Sequence, residues 1–193
     1  MGKAPVRQRL LQAAAELFYR DGVGATGIDA ITAHAGVARM SLYNNFSSKA
    51  DLVTAYIDGR RTEWHAHLDE RMKKAAGPRE RLLAVFDSYL DHAARAYDGG
   101  FRGCGLLNAA AELPRGDPGR ASVAAQKDEV EALFRTCLSE MSCPAHAIYD
   151  HAEHLSFLLE GAMARSGLEG HDARLKSARR MAIALLDRIE DPR

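Results

Sequence analysis

The chain has 193 residues, the usual span of one large domain or of a small domain joined to a medium one. Hydrophobic residues make up 47% and charged residues 27%, an ordinary globular usage that excludes wholesale disorder. Its 26 Lys and Arg balance 26 Asp and Glu, which excludes a uniformly basic coat and an acidic tail. Val6, Leu10, Ala14, Leu17 and Phe18 recur at helical spacing, with Arg7, Arg9, Gln12, Glu16 and Arg20 on other faces. Asp21-Gly22 ends this first helix, since glycine suits a C-terminal cap. Thr26-x-x-Asp29 reads as a capping box that opens a short second helix, with Ile28, Ile31 and Ala35 inward and Gly36 as its stop. A third short segment, from about Val37 to Phe46, has its apolar positions at Val37, Leu42 and Phe46. Ser48-x-x-Asp51 repeats the capping pattern ahead of a long helix running toward Met72. Beyond Gly77-Pro78 the spacing predicts helices over Arg79–Tyr97, Arg102–Leu113, Ala121–Met141, Ala145 to about Arg165, and Asp172–Ile189, with Pro114–Gly119 as a loop. No stretch alternates convincingly with a period of two, and no hairpin turn lies between β-branched runs. The chain is predicted all-α, without an internal repeat.

A helix, a short helix, Gly36 and another short helix describe a helix-turn-helix unit. Val37, Leu42 and Phe46 would hold the second short helix against Ile28, Ile31 and the first helix. Ala38, Arg39, Met40, Ser41, Tyr43 and Asn44 are then outward. Arg forks onto guanine, Met and Ala touch a thymine methyl, and Ser, Tyr and Asn donate to phosphates or base edges. A three-helix packing corner with an ordinary surface has the same pattern. Charge adds little: residues 1–60 carry seven basic and five acidic side chains, and the remainder offsets that excess.

The run Thr26-Gly-Ile-Asp-Ala-Ile-Thr-Ala-His-Ala-Gly-Val-Ala-Arg-Met-Ser-Leu-Tyr-Asn-Asn-Phe-Ser-Ser-Lys-Ala-Asp-Leu52 resembles the N-terminal signature of TetR-family transcriptional regulators. The match extends upstream through Ala14, Glu16, Leu17, Phe18 and Gly22, and so covers about residues 5–55. The resemblance implies an all-helical homodimer. In it, residues 1–48 form a helix-turn-helix DNA-binding domain, and residues 49–193 a helical effector-binding and dimerisation domain. Its partners would be a palindromic double-stranded DNA operator and a small-molecule effector that releases a repressor. Thr26 and Tyr43 match positions that typically contact phosphate, and Lys49 matches another phosphate neighbour. Arg39, Met40 and Ser41 fall where base-reading residues usually lie. Two departures stand out. Ala38 occupies a place where the family often has Ser or Thr, so the customary N-cap hydroxyl is missing, and Asn44-Asn45 replaces a pair that is commonly aromatic or His.

Farther along, Gly103-Cys104-Gly-Leu-Leu-Asn108-Ala-Ala-Ala-Glu112 resembles a segment of some members, although its small residues also suit close helix packing. In the family the last two long helices usually pack against the mate. Leu155, Leu158, Leu159, Ala162 and Met163, with Met181, Ile183, Leu185 and Leu186, offer apolar area for that interface and for the subunit's own core. Candidate pocket residues are Trp64, Phe86, Tyr89, Leu90, Cys104, Leu107, Asn108, Phe157 and Leu158, apolar with a few polar handles. A packed core has the same composition.

Competing chemistry finds less support. His65-Ala-His67-Leu-Asp69 echoes the metal-binding run of metallo-hydrolases, but position 70 is Glu and the two histidines diverge on a helix. His151 and His154, at i and i+3, could share a helix face and bind a metal with Glu153 nearby, but exposed helix histidines are the commoner outcome. Cys104 would sense redox state only with a lowered pKa. There is no Walker loop, GxGxxG, GxSxG or HExxH, so no catalytic residue, metal ligand or cofactor is expected. No apolar run approaches the ~18 residues that span a bilayer. Residues 1–7 lead into a charged amphipathic stretch rather than the apolar core of a signal peptide. Cys104, Cys137 and Cys143 form no CxxC, which fits a reducing compartment, so the expectation is a cytoplasmic protein with no membrane partner. Two classes remain: a ligand-responsive DNA-binding regulator, or a helical small-molecule-binding protein or enzyme whose N-terminal helices are only structural. Salt-sensitive binding to a palindromic duplex separates them.

Overall fold

The computed structural model describes residues 4–95, 99–141 and 143–191. The expected helix end at Tyr97 and the start of the chain through Lys3 lie outside these described residues. Among them, every regular element is helical: α1 (Val6–Asp21), α2 (Ile28–Ala35), α3 (Arg39–Tyr43), α4 (Lys49–Met72), α5 (Pro78–Ala93), α6 (Gly105–Glu112), α7 (Pro118–Ser139), α8 (Ile148–Glu169) and α9 (Ala173–Glu190). A single 3-10 turn, Ala145–Ala147, leads into α8.

Several ends differ from the sequence pattern, each for a local reason. The Thr26 capping box does not form. Gly27 is the N-cap of α2, while the buried Thr26 hydroxyl donates to Gly22 O at 2.7 Å and Leu17 O at 3.3 Å. The Ser48 pattern does form a cap, with Ser48 Oγ accepting from Asp51 N–H at 3.1 Å and the Asp51 carboxylate accepting from Ser47 N–H at 2.9 Å. Helix α3 is only Arg39–Tyr43, shorter than Val37–Phe46, although Phe46 N–H still donates to Leu42 O at 2.8 Å. Helix α6 starts at Gly105 rather than Arg102, and α7 starts within the expected loop at Pro118, a position where proline forfeits no hydrogen bond. Helix α8 runs past Arg165 to Glu169 and closes on Gly170, whose φ of 73° is left-handed.

The chain forms two compact units. One gathers the described residues within Met1–Thr62, Tyr97–Gly100 and Gly105–Val123. The other gathers those within Glu63–Ala96, Phe101–Cys104 and Ala124–Arg193. Helices α4 and α7 therefore contribute residues to both. In the first unit, Leu10, Leu17, Ile31, Leu42, Phe46 and Leu52 are buried, and Phe18 meets Tyr56 edge-on with ring centroids 5.5 Å apart. Each such side chain contributes about 2 kcal/mol by leaving water.

In the second unit, α9 packs on α5 and α8. Arg79 bonds Asp187 at 2.5 Å and Glu190 at 2.6 Å, and Arg179 bonds Asp87 at 2.6 Å, which ties α5 to α9 from both sides. The apolar residues of the last two helices divide by face. Leu155, Leu159, Ala162, Met163, Leu185 and Leu186 are buried within the subunit, Leu158 and Ile183 are half-buried, and Met181 is exposed. Tyr149, Phe157 and Leu168 are also exposed. No helix of the described residues is long and apolar enough to cross a membrane.

Candidate nucleic-acid interface and effector site

Helix α3 is held by its apolar side and shows its polar side. Leu42 and Phe46 are almost fully buried, and the Arg7 guanidinium lies 4.8 Å above the Phe46 ring. The turn before α3 is fixed at Gly36, whose φ of 63° favours glycine. Arg9 of α1 donates from Nη2 to Ala35 O at 2.5 Å and Gly36 O at 2.7 Å, neutralising the carbonyl end of α2. The short helix thus stands on a rigid base.

Its outward side carries most of the expected residues. Ala38 is the exposed N-cap, with no side-chain hydrogen bond. Met40 is 68% exposed, Tyr43 45%, and Asn44 is exposed at the C-cap. Ser41 is half-buried, and its carbonyl accepts from Asn45 Nδ2 at 2.8 Å. Arg39 is exposed and donates from Nη1 to Asp29 Oδ1 at 2.8 Å; Tyr43 and then Asp29 hold its guanidinium still more firmly protonated than usual. Lys49, the first residue of α4, reaches Gly24 O at 3.5 Å. Thr26 differs from the others: it is buried, and its hydroxyl proton is committed to carbonyls of its own unit.

The other unit holds a polar cluster. Lys127 of α7 pairs with Glu160 of α8 at 2.9 Å and donates to the Tyr89 hydroxyl at 3.3 Å and Cys104 Sγ at 3.6 Å. Tyr89 in turn donates to Glu160 Oε1 at 3.0 Å. Burial opposes the charge on Lys127, yet Tyr89, Cys104 and Glu160 together hold its pKa well above the ordinary lysine value. Burial pushes the Tyr89 phenol up as well. In the same unit, Trp64 Nε1 and Gln126 Oε1 are buried with no hydrogen-bond partner. Phe86 is buried and stacks on Phe134 at 5.8 Å, and Leu90 is half-buried.

Among the candidate pocket residues, Trp64, Phe86, Tyr89, Leu90 and Cys104 belong to this unit, as do Phe157 and Leu158. The last two lie elsewhere within it, on the outer side of α8, where they line an open depression of about 430 Å³ with Asp150, Glu153 and His154. Leu107 and Asn108 are half-buried on α6, in the N-terminal unit. The two histidines of the His65-Ala-His67 run have ordinary partners: His65 faces Glu129 at 3.2 Å, and His67 contacts Arg95. Among the described residues, no three His, Cys, Asp or Glu side chains converge as a metal-holding group.

Comparison with known proteins gives this geometry its context. Residues 10–56 match the family model described as bacterial regulatory proteins, tetR family. Over its whole length the fold is similar to a TetR-family transcriptional regulator from Streptomyces coelicolor, with a TM-score of 0.87, 29% identity and 96% of each chain covered. Its N-terminal segment carries a TetR-type helix-turn-helix, within a fold similar to that of TetR-family transcriptional regulators. It is also similar to the HTH-type transcriptional activator FasR of Mycolicibacterium smegmatis, 33% identical over 85 residues, which are 44% of this chain and 39% of that protein. The HTH-type transcriptional regulator TtgR of Pseudomonas putida is 34% identical over 87 residues, 42% of this chain and 41% of TtgR. These two alignments span about two fifths of each relative's length.

Within this TetR-type helix-turn-helix, sequence reasoning missed Arg9, which braces the turn, and Asp29, which holds Arg39. In the helical unit it missed Lys127 and Glu160. Helical periodicity carries no signal for any of them: each is a charged residue on a helix, indistinguishable in sequence from a solvated one.

Proposed function

We propose that the chain is a sequence-specific transcriptional regulator that acts as a homodimer on a near-palindromic operator in the cytoplasm, as a repressor released by a small molecule. The observation that carries this reading is the exposed face of α3. Arg39, Met40, Tyr43 and Asn44 project from a five-residue helix whose opposite side is buried and braced. A short helix with an apolar back and such an outward set suits entry into a major groove, where Arg forks onto guanine and Met meets a thymine methyl. Tyr43 and Lys49 would anchor phosphates. Thr26 would contribute its backbone rather than its hydroxyl.

Two subunits would place their α3 helices in successive major grooves, ~34 Å apart. Exposed Tyr149, Phe157, Leu168 and Met181 on α8 and α9 give the pairing of subunits an apolar surface. The effector would bind in the helical unit beside Tyr89, Cys104, Lys127 and Glu160. In the same unit, the buried indole N–H of Trp64 and the side-chain oxygen of Gln126 are an unused donor and acceptor. An effector that prefers a spacing of the two α3 helices unsuited to the operator must itself be bound more weakly when DNA is present, by the same factor.

The decisive experiment selects bound duplexes from a random library at low and moderate salt. A recovered near-palindrome, with affinity falling steeply as salt rises, is the expected result. Weak binding without a consensus would remove DNA recognition from the reading and leave the helical unit as the functional part.

A further inference from the structure

We propose that Glu112 is a positioning residue for DNA binding: its carboxylate clamps the turn between α1 and α2 and so sets where α2 and α3 stand. The proposal rests on the reading of α3 as the DNA-contacting helix. Glu112 is the last residue of α6. Its Oε1 accepts from Val23 N–H at 3.1 Å and its Oε2 from Gly24 N–H at 2.5 Å, main-chain groups 89 and 88 residues away in the sequence. Both amides follow the end of α1 and precede α2, where no carbonyl of either helix serves them. An ionised acceptor shared by two amides makes stronger bonds than neutral pairs do.

The turn is shaped around that carboxylate. Gly22 has a φ of +99°, and a Cβ there would stand 2.8 Å from Glu112 Oε1. A Cβ at Gly24 would stand 3.0 Å from Oε2. Any larger residue at either position displaces the carboxylate. From the other side, the Thr26 hydroxyl holds Gly22 O at 2.7 Å, so the turn is gripped by two side chains. Helix α6 is itself closely seated: a Cβ on Gly105 would meet the Tyr56 hydroxyl at 2.8 Å and the Tyr19 ring at 3.1 Å. The clamp therefore links the turn to a helix that is already fixed within the same unit. Since α2 begins at Ile28 and packs on α3, a turn free to shift carries α3 with it.

The test uses the full chain, the duplex recovered by selection, an unrelated duplex, and the variants Glu112→Ala, Glu112→Gln, Gly24→Ala and the double Glu112→Ala/Gly24→Ala. Loss of the clamp should weaken specific binding about tenfold in Glu112→Ala and about threefold in Glu112→Gln, which keeps one acceptor oxygen. Affinity for the unrelated duplex should hold and the melting temperature should fall only slightly, because Glu112 is exposed and no core contact changes. Gly24→Ala should weaken specific binding alone but add nothing to Glu112→Ala. Wild-type specific affinity in Glu112→Ala would overturn the proposal. So would tighter binding to both duplexes, which would mark Glu112 as a mere negative charge near DNA. If the wild type recovers no consensus duplex, the DNA-binding reading fails separately. Amide exchange at Val23 and Gly24 then judges the clamp: faster exchange in Glu112→Ala supports it, and unchanged exchange overturns it.

Discussion

The N-terminal three-helix unit and the helical unit built on α5, α8 and α9 use polar side chains in opposite ways. In the first, Arg39, Met40, Tyr43 and Asn44 stand in solvent, and the charged residues around them serve to hold a shape. In the second, Lys127, Glu160, Tyr89 and Cys104 turn inward and bond one another, although Glu160 Oε2 is buried without a hydrogen-bond partner. An exposed set gains its energy only when a partner arrives. A buried set contributes to the folded state whether or not anything binds, and exacts a penalty when it is broken.

That contrast breaks most readily at Lys127. Lys127→Met leaves the Glu160 carboxylate facing an apolar surround, and should lower stability by about 3 kcal/mol, read from the denaturant midpoint at neutral pH. A Lys127→Met/Glu160→Leu double variant should recover much of the loss. A single variant as stable as the wild type would mean that water already screens the pair. The same cluster predicts an alkaline limb. Folding holds the protons of Lys127 and Tyr89 above the values of about 10 at which the unfolded chain releases them. Both folded-state pKa values are raised, so this stabilisation is fully present below pH ~10 and is lost as the pH climbs through the folded values. Chemical denaturation at stepped pH should show that decline, and it should flatten in Lys127→Met.

The exposed set should behave in reverse. Arg39→Ala should cost about 1–3 kcal/mol in discrimination at one base position and leave the melting temperature unchanged, as judged by repeating the duplex selection. Unaltered sequence preference would remove Arg39 from base reading. A smaller effect sharpens the comparison. Asp29 holds the Arg39 guanidinium at 2.8 Å with both side chains largely in solvent, where water screens the pair. Asp29→Asn weakens one of the two holds on Arg39, leaving that of Tyr43, and removes a negative charge beside it, so operator affinity should rise about two- to threefold. The gain should fade with added salt. A loss of affinity would instead mean that Asp29 pre-orients Arg39.

The two regions also differ in what could be read in advance. The N-terminal helices were legible because their signals are local: an apolar stripe from Leu10 to Phe18, a stop at Gly22, a left-handed turn at Gly36 and a cap at Ser48. Even there, a local pattern misled at Thr26. Its spacing to Asp29 suits a capping box, but the hydroxyl found the end of α1 instead. In the helical unit, periodicity marked Phe86 and Tyr89 as inward. It could not separate Leu159, which is buried, from Phe157, which is 66% exposed, because α8 is apolar on more than one side.

By itself, then, the sequence determined the all-helical class, the order of the elements and most of the outward residues of α3, because helical periodicity, caps and glycine stops act over a few neighbouring positions. Tertiary structure alone decided the contacts between residues far apart in the chain. It brought Arg9 onto Ala35 and Gly36, Glu112 onto Val23 and Gly24, and Lys127 onto Glu160. Whether a charged side chain on a helix meets water or a distant partner depends on how helices pack, and that information is not carried by the residues beside it.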